Sequence, residues 1–407
     1  MTGADILDSR YAWARLAISL AIAMVGNVGM WAIIVVMPAV QADFGVDRAD
    51  ASLPYTFAML GFALGNLVVG RVVDRFGVTV ALTLAALVIA AGMGMSALSP
   101  SVLVLSVAQF IVGLGTAASF GPLIADVSLW FLRRRGIAVA IAASGNYLSG
   151  AIWPVLLAGI LAGQGWRAVY VVLAAVTLTV VVPLALFLRR RLPLEARTHA
   201  DNLSRLRAQA AGFPPRLLAL MLGVAGIGCC VAMSMPQVHI VSFCVDLGYG
   251  PAVGGQMLSL MLLGGVVSRL ISGLVADQLG GVRTLLVGSL LQCLALFLYL
   301  PFDGMVSLYV ISAIFGLSQG GIVPSYALVV REYMPSAEAG RRVGFVMMMT
   351  ILGMALGGWM TGWIYDVTGS YQMAFINGIV WNFLNIGIMV AILMRTRPRR
   401  PSGAVAA

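Results

Sequence analysis

The feature that most constrains this chain is a series of apolar stretches, each long enough to cross a lipid bilayer. Twelve can be read, at roughly 13–39, 51–72, 78–98, 101–129, 136–161, 166–188, 215–245, 251–273, 282–301, 305–330, 342–365 and 370–394. A spanning helix needs about 20 apolar residues. Only 10% of the 407 residues are charged, against about 25% in soluble domains. The sequence therefore predicts an all-α membrane protein with twelve transmembrane helices.

The basic residues predict how these spans are oriented. The sequence has no lysine, so all 25 basic residues are arginines, and 22 of them fall on one side when the N-terminus is placed in the cytoplasm. Arg48 and Arg167 then lie outside, and Arg269 lies within the eighth span. Because cytoplasmic loops are enriched in Lys and Arg, we expect both termini in the cytoplasm, with the chain in a bacterial inner membrane. The net charge of +10 follows from this asymmetry and does not indicate a nucleic-acid partner.

The chain divides into two similar halves. The only long polar stretch, 189–214, predicts a cytoplasmic linker between a six-helix bundle at 1–188 and a second at 215–407. Two motifs recur at an offset of 203 residues, one after the second and eighth spans and one in the fourth and tenth spans. They are Gly70-x-x-x-Asp74-Arg75-x-Gly77 with Gly273-x-x-x-Asp277-x-x-Gly280, and Ile111-x-Gly113-Leu114 with Ile314-x-Gly316-Leu317. A duplicated six-span unit is typical of a large class of transporters.

The loop motif Gly70 to Gly77 resembles the signature of the major facilitator superfamily, and through the repeat the resemblance covers the whole chain. It implies two pseudo-symmetric six-helix bundles that expose a central site to each side of the membrane in turn. It also implies gating roles for Asp74, Arg75 and Asp277, whose charges can clasp helix ends on the cytoplasmic side. The motif carries no information on the substrate.

A second, narrower resemblance lies at the start of the fifth span. Trp130-Phe131-Leu132-Arg133-Arg134-Arg135-Gly136 is similar to the monocarboxylate transporter signature, an aromatic pair and three basic residues before an Ala/Gly-rich helix. Segments 236–239, 246–248 and 366–371 also resemble bacterial members of that family and of the related oxalate/formate exchangers. The family's first span carries an acidic residue followed by glycines and tryptophans. Of this pattern only the last tryptophan, Trp31, is clearly present here. The resemblance implies transport of a small organic carboxylate, with proton-coupled symport as the expected mode.

Arg269 is the candidate for binding this carboxylate. Its helical neighbours Gly265, Ser268, Ser272 and Gly273 are small, so this face can border a cavity. A guanidinium can hold a carboxylate through two parallel hydrogen bonds, and intramembrane ionisable residues generally face a pathway. The resemblance implies that an arginine four residues before the loop-motif glycine binds the substrate. The alternative is that Arg269 snorkels to the cytoplasmic surface or pairs with a structural acid.

Two further titratable residues are candidates for gating or proton transfer. Asp126, in the fourth span, could carry a proton, but its position near the cytoplasmic end favours an ion pair with Arg71 or Arg75. His239, toward the outer end of the seventh span, could relay protons or act as a hydrogen-bonded gate residue. The acid that the family usually uses for proton handling is replaced here by Gly265. A facilitator or an anion exchanger therefore stays open beside symport.

Five polar residues lie in mid-span on helices that border the cavity in this kind of fold. They are Asn27, Asn146, Tyr147, Ser318 and Gln319. Each offers hydrogen bonds to a carboxylate or hydroxyl oxygen, although each alone could equally bond a neighbouring helix. Together with Arg269 they predict a polar substrate-binding pocket. Glycines at four-residue spacing in the second and eleventh spans, such as Gly61 with Gly65 and Gly358 with Gly362, predict close helix contacts that let the halves slide.

The sequence also excludes several classes of function. Without lysine there can be no Walker-type phosphate loop, so this chain does not drive transport with ATP. Only two histidines are present and no nucleophile–base pair or metal set is recognisable, so we predict neither an enzyme nor a cofactor. One intramembrane arginine favours one carboxylate, such as lactate, pyruvate or a 2-hydroxy acid. The predicted function is monomeric secondary transport of such an acid, and the alternatives are an organic anion exchanger or a non-transporting membrane sensor.

Overall fold

The computed structural model describes residues 8–131, 134–189, 214–334 and 336–396. These residues form helices, and no β-strand occurs among them. Within these described ranges, eleven helical segments are long and apolar enough to cross a membrane. One of them, Ile137–Phe187, has 51 residues, or about 75 Å of helix, whereas a bilayer core is about 30 Å thick. Gly165, with φ of 81°, breaks it into two crossings. The prediction of an all-helical membrane fold with twelve spans is confirmed.

The helix bounds follow the predicted spans closely. In chain order they are Arg10–Gly26 and Val28–Phe44 (span 1), Arg48–Phe76 (span 2), Val78–Ala97 (span 3), Val102–Thr116 and Gly121–Trp130 (span 4), Arg135–Val176 and Val182–Phe187 (spans 5 and 6), Pro215–Asp246 (span 7), Pro251–Leu279 (span 8), Gly281–Leu298 (span 9), Met305–Gln319 and Ile322–Tyr333 (span 10), Ser336–Thr368 (span 11) and Tyr371–Thr396 (span 12). Residues 190–213 of the predicted linker lie outside the described residues.

The two membrane faces can be named by the chain itself. The terminal face is the one where span 1 begins and span 12 ends. The distal face is the opposite one, where the turns at 45–47, 165, 247–250 and 369–370 connect consecutive spans.

The sequence repeat corresponds to a repeated helix contact. A Cβ on Gly113 would meet the backbone of Ala58, and a Cβ on Gly316 would meet the backbone of Met261. Gly316 follows Gly113 by 203 residues, and Met261 follows Ala58 by the same number. Spans 2 and 4 therefore cross in the same way as spans 8 and 10, because only glycine lets the two backbones approach so closely.

The two halves of the chain meet along spans 2 and 11 and along spans 5 and 8. Gly358 and Gly362 of span 11 lie directly against Tyr55 and Arg48 of span 2. The glycines of span 2 have a different role from the one predicted: Gly61 and Gly65 face the backbone of span 4, within the same half. Close contact at the second-span glycines is correct, but their expected place between the halves is wrong.

Candidate functional site

Arg269 of span 8 is buried at the contact between spans 5, 8 and 10, with 6% of its surface exposed. Its Nη1 donates to the carbonyl oxygen of Ala143 in span 5 at 2.5 Å, and its Nε donates to that of Gly320 in span 10 at 3.2 Å. Its guanidinium carbon lies 4.2 Å from the centre of the Tyr147 ring. Two backbone dipoles and an aromatic face thus stabilise the cation. No carboxylate pairs with Arg269 among the described residues.

Gly265, one helical turn before Arg269, makes room for this aromatic face. A Cβ at position 265 would lie 2.9 Å from two carbons of the Tyr147 ring, closer than packed atoms normally approach. The ring therefore occupies the space into which a side chain at 265 would project. This contact explains structurally why the acid expected from the family resemblance has no counterpart here.

Trp31 of span 1 covers this site on its distal side. Its Nε1 donates to the backbone oxygen of Asn146 at 3.0 Å and to Oδ1 of the same residue at 3.1 Å. The Trp31 ring and Leu262 both pack directly over Gly150, one turn distal to Asn146. Of the predicted pocket residues, Tyr147 therefore lies beside Arg269, and Asn146, next to it in span 5, holds the Trp31 ring.

The other predicted pocket residues make contacts between or within helices. The Nδ2 of Asn27 donates to the carbonyl oxygens of Ala23 at 2.7 Å and Ser119 at 3.1 Å. Ser318 donates to its own helix, and Gln319 accepts a 2.9 Å hydrogen bond from Gln237. Gln319 directly precedes Gly320, whose carbonyl oxygen accepts from Nε of Arg269. The structure places Tyr147 against Arg269 and bonds Asn27 and Ser318 to backbone carbonyl oxygens. The substrate-binding role of these residues stays a prediction.

The predicted partner of Asp126 was wrong. Its two carboxylate oxygens accept from Nε and Nη2 of Arg15 at 2.8 and 2.9 Å, and the same Nη2 donates to the Leu188 carbonyl at 3.1 Å. Arg71 and Arg75 are exposed instead. The reason is that Asp126 faces span 1 inside the first half rather than the loop after span 2. Arg15, placed in a cytoplasmic segment by the sequence analysis, is only 2% exposed.

The loop-motif gate is only partly described. The side chains of Asp74 and Asp277 lie outside the described residues, and the guanidinium carbon of Arg75 lies 5.2 Å from the centre of the Phe76 ring. The gating role of these three residues stays a prediction.

Sequence reasoning missed a cluster at the distal face, which we call the distal latch: Arg48, Asp246, Tyr365, Asp366 and Tyr371. Nη1 and Nη2 of Arg48 each donate to one oxygen of Asp246 at 3.1 Å, and Nη1 also donates to the Tyr371 hydroxyl. The Arg48 guanidinium carbon lies 4.8 Å from the centre of the Tyr365 ring. Bidentate geometry, an aromatic face and 6% exposure make this a strong tie between span 2 and spans 7, 11 and 12.

Asp366 adds a helix cap to the distal latch. Its oxygens accept from the backbone N–H groups of Arg48 at 2.9 Å and Ala49 at 2.7 Å. These donors belong to the first turn of span 2 and have no partner within their own helix. The sequence offered one signal for this cluster: Asp246 and segment 366–371 were among the residues that resemble the monocarboxylate transporters. Arg48 gave no such signal, because its position had been assigned to an outer loop.

His239 lies beside the distal latch. Its Nε2 is 2.8 Å from the Gly358 carbonyl oxygen, and its ring centre lies 5.9 Å from that of Tyr371. Gly358 in turn packs on Tyr55 of the other half. Both predicted roles of His239 stay open, but its location is that of a residue buried behind the closed distal face.

Comparison with known proteins identifies the family. The family model described as Major Facilitator Superfamily matches residues 19–243 and 220–406. The chain belongs to the Major Facilitator Superfamily. This major facilitator is therefore a multi-pass membrane transporter.

Its relatives include proteins named as monocarboxylate transporters. It is 27% identical over 345 residues to monocarboxylate transporter 13 of Bos taurus, covering 82% of this chain and 79% of the relative. It is 32% identical over 279 residues to monocarboxylate transporter 11 of Mus musculus, covering 65% and 61%. This major facilitator thus resembles the monocarboxylate transporter family, as its sequence motifs indicated.

A solved structure has the same fold. It is a bacterial homologue of the human lysosomal transporter Spinster, described as inward-facing and occupied, with a TM-score of 0.70, 15% identity and 96% coverage of both chains.

Proposed function

We propose that this major facilitator transports a small monocarboxylate by alternating access, with Arg269 as the anchor for the carboxylate. The observation that carries the proposal is a buried guanidinium that has no acidic partner among the described residues. A guanidinium has five N–H donors. Two of the nitrogens of Arg269, Nε and Nη1, donate to backbone carbonyl oxygens, and the Tyr147 side chain is a further partner. The guanidinium therefore has more donors than these partners use, and a carboxylate oxygen can accept from them.

The charge at the site favours one carboxylate rather than two. No lysine or arginine follows Arg342 in span 11, and no second basic residue lies in span 8 before its end. A dicarboxylate would leave one buried anionic group without a counter-charge, which is costly in the membrane interior. Lactate and pyruvate, including other 2-hydroxy acids of that size, are the proposed substrates.

The names of the relatives and the motif at the start of span 5 support the same class of substrate. The distribution of arginines supports placing the terminal face in the cytoplasm. We propose that the protein acts as a monomer in a bacterial inner membrane. Proton-coupled symport is the mode expected from the family resemblance. Organic anion exchange is the second candidate, and the observation that favours it is the acid-free surroundings of Arg269.

Uptake of radiolabelled lactate and pyruvate into proteoliposomes tests this function. We expect Arg269→Ala to lower the initial rate at least about tenfold, because a charge-assisted hydrogen bond contributes about 1.5–3 kcal/mol. Arg167→Ala is the matched control, since Arg167 is a half-exposed arginine at the distal face, paired with Asp43, and should transport at the wild-type rate. Equal uptake by wild type and Arg269→Ala would remove Arg269 from the site. Binding without flux would favour the sensor alternative.

A further inference from the structure

We propose that Gln237 and Gln319 form a second part of the substrate site, which binds the oxygen on carbon 2 of the acid. This amide pair would select 2-hydroxy and 2-keto acids over unsubstituted acids of the same length. The inference rests on the proposed function of Arg269, which would hold the carboxylate of the same molecule. It assigns a specificity role to Gln237, which was not among the predicted pocket residues.

The amide pair joins two helices inside the second half of the chain. Nε2 of Gln237 in span 7 donates to Oε1 of Gln319 in span 10 at 2.9 Å, and the two residues are 1% and 0% exposed. Oε1 of Gln237 and Nε2 of Gln319 have no hydrogen-bond partner among the described residues. Flipping both amides again leaves one oxygen and one nitrogen without a partner. The pair thus offers a ligand one acceptor and one donor in either arrangement.

The amide pair lies at the break in span 10 to which Arg269 is bonded. Gln319 is the last residue of the first helix of this span, and the second helix begins at Ile322. The next residue, Gly320, provides the carbonyl oxygen that accepts from Nε of Arg269, and consecutive Cα atoms are about 3.8 Å apart. Transporters commonly form their substrate sites at such interrupted helices. The arginine and the amide pair therefore meet at one interruption of the helix.

A 2-hydroxy acid has the groups that this arrangement can bind. Its hydroxyl oxygen is attached to the carbon next to the carboxylate, so an acid anchored by its carboxylate holds this oxygen close to the anchor. The hydroxyl can accept from the amide nitrogen of the pair and donate to the amide oxygen. A keto oxygen can only accept, and an unsubstituted acid can do neither. Because buried polar groups left unpaired disfavour a ligand that lacks the matching group, we expect lactate to bind best, then pyruvate, then propionate.

The first half of the chain shows that the fold does not require an amide pair at this place. The positions 203 residues earlier are Ile34 and Thr116, both fully buried. Oγ1 of Thr116 donates to the Val112 carbonyl oxygen in its own helix at 2.9 Å. At these repeat-related positions the amides occur in the half that also carries Arg269. The three side chains therefore stay together when the halves move as rigid bodies.

Competition for uptake into proteoliposomes tests the amide pair. Unlabelled lactate, pyruvate and propionate compete with a trace of radiolabelled lactate, and the concentration that halves uptake is measured for each acid. For the wild type we expect lactate to compete at a concentration at least about tenfold lower than propionate, with pyruvate between them.

Two variants remove the amide pair in different ways. Gln237→Ile/Gln319→Thr copies the residues that the first half packs at the corresponding positions. Gln237→Met/Gln319→Met replaces both partners by apolar side chains of similar size, which limits the cost to folding. We expect both variants to bring lactate and propionate within about threefold of each other, because lactate loses its second contact while propionate never had one.

A buried amide in the first half provides a matched control. Nε2 of Gln109 donates to Oγ of Ser96 at 2.9 Å, both residues are fully buried, and Oε1 of Gln109 lacks a partner in the part of the chain that the structure describes. Ser96 lies in the last turn of span 3, in the half without Arg269. Gln109→Met/Ser96→Ala removes a similar bond away from the site and should keep the wild-type preference for lactate.

The outcomes separate this inference from the proposed function. A wild type without preference for lactate, an unchanged preference in the amide variants, or an equal loss for lactate and propionate would overturn the role of the pair. None of these results removes Arg269 from the site, because propionate needs only the arginine. The proposed function fails instead, and this inference with it, if the wild type transports none of the three acids or if Arg269→Ala transports them at the wild-type rate.

Discussion

The two ends of the interface between the halves differ in how closely the helices approach. At the distal end a Cβ on Gly358 would lie 2.7 Å from the Tyr55 ring, and one on Gly362 would lie 2.8 Å from the Arg48 carbonyl oxygen. Toward the terminal end a Cβ on Gly70, Gly273 or Gly344 would meet nothing within 4 Å. The difference shows that the molecule is closed at its distal face and more loosely packed at its terminal face.

The ion pairs show the same contrast. Asp43 and Asp246 lie 203 residues apart, near the distal ends of spans 1 and 7, yet Asp43 pairs with Arg167 of its own half and Asp246 with Arg48 of the other half. Toward the terminal face, Asp126 pairs with Arg15 of its own half. Equivalent positions in a repeat can therefore stabilise one half or close the interface between the halves. The outcome depends on whether the arginine partner belongs to the same half, as Arg167 does for Asp43, or to the other half, as Arg48 does for Asp246.

The largest expected effect is on stability, at the ion pair inside the first half. Asp126→Asn would leave Arg15, which is 2% exposed, without its counter-charge. We expect a loss of about 3–5 kcal/mol in the free energy of unfolding, as for other buried pairs that lose one partner. Thermal unfolding in detergent measures it. Opening of the distal face is measured by maleimide labelling of a cysteine at position 56, because Thr56 donates to the Ala355 carbonyl oxygen across the two halves; the four buried native cysteines are replaced in the background. This Thr56→Cys labelling should stay unchanged in the folded Asp126→Asn protein, and faster labelling would mean that the Arg15–Asp126 pair also holds the distal face closed.

The second-largest free-energy change is expected at the distal latch, where it should favour opening of the distal face rather than unfolding. Asp246→Asn removes the charge from a bidentate pair whose side chains are 8% and 26% exposed, so we expect about 2–3 kcal/mol against the distal-closed state, less than for a fully buried pair. Labelling of Thr56→Cys should accelerate at least about tenfold. Asp43→Asn, the repeat-related control, should leave labelling unchanged. The swap Arg48→Asp/Asp246→Arg should recover part of the closure, and failure to do so would show that the tyrosines and Asp366 dominate the latch.

The smallest effect is expected from single methyl groups at the two ends of the interface. Gly362→Ala places a Cβ against the Arg48 backbone and should cost the distal-closed state about 1–2 kcal/mol, as overpacking commonly does. Gly344→Ala meets open space and should be neutral or slightly stabilising, because alanine favours helix over glycine by up to about 1 kcal/mol. Equal labelling rates in these two variants would contradict the difference in packing between the two ends.

Much of the fold could be predicted from the sequence because hydrophobic length is a local property. The twelve spans and the break between spans 5 and 6 before Trp166 could be read directly. The position of Arg269 within a span was also accessible, since an arginine among small residues in an apolar span has few alternatives to a cavity or an interface, whereas its contact with the fifth span was not. The predicted pocket was less accurate, because mid-span position does not tell which way a polar side chain faces.

The sequence by itself determined the number of crossings, the repeat, the family and the one arginine in mid-membrane. Only the tertiary structure decided that Asp126 pairs with Arg15 and that Arg48 closes the distal face with Asp246. It also decided that the Tyr147 ring packs directly on Gly265. The physical reason is that these choices depend on how helices rotate and cross. Arg48 and Asp246 are 198 residues apart along the chain, and no local pattern of apolar residues specifies which faces of their helices meet.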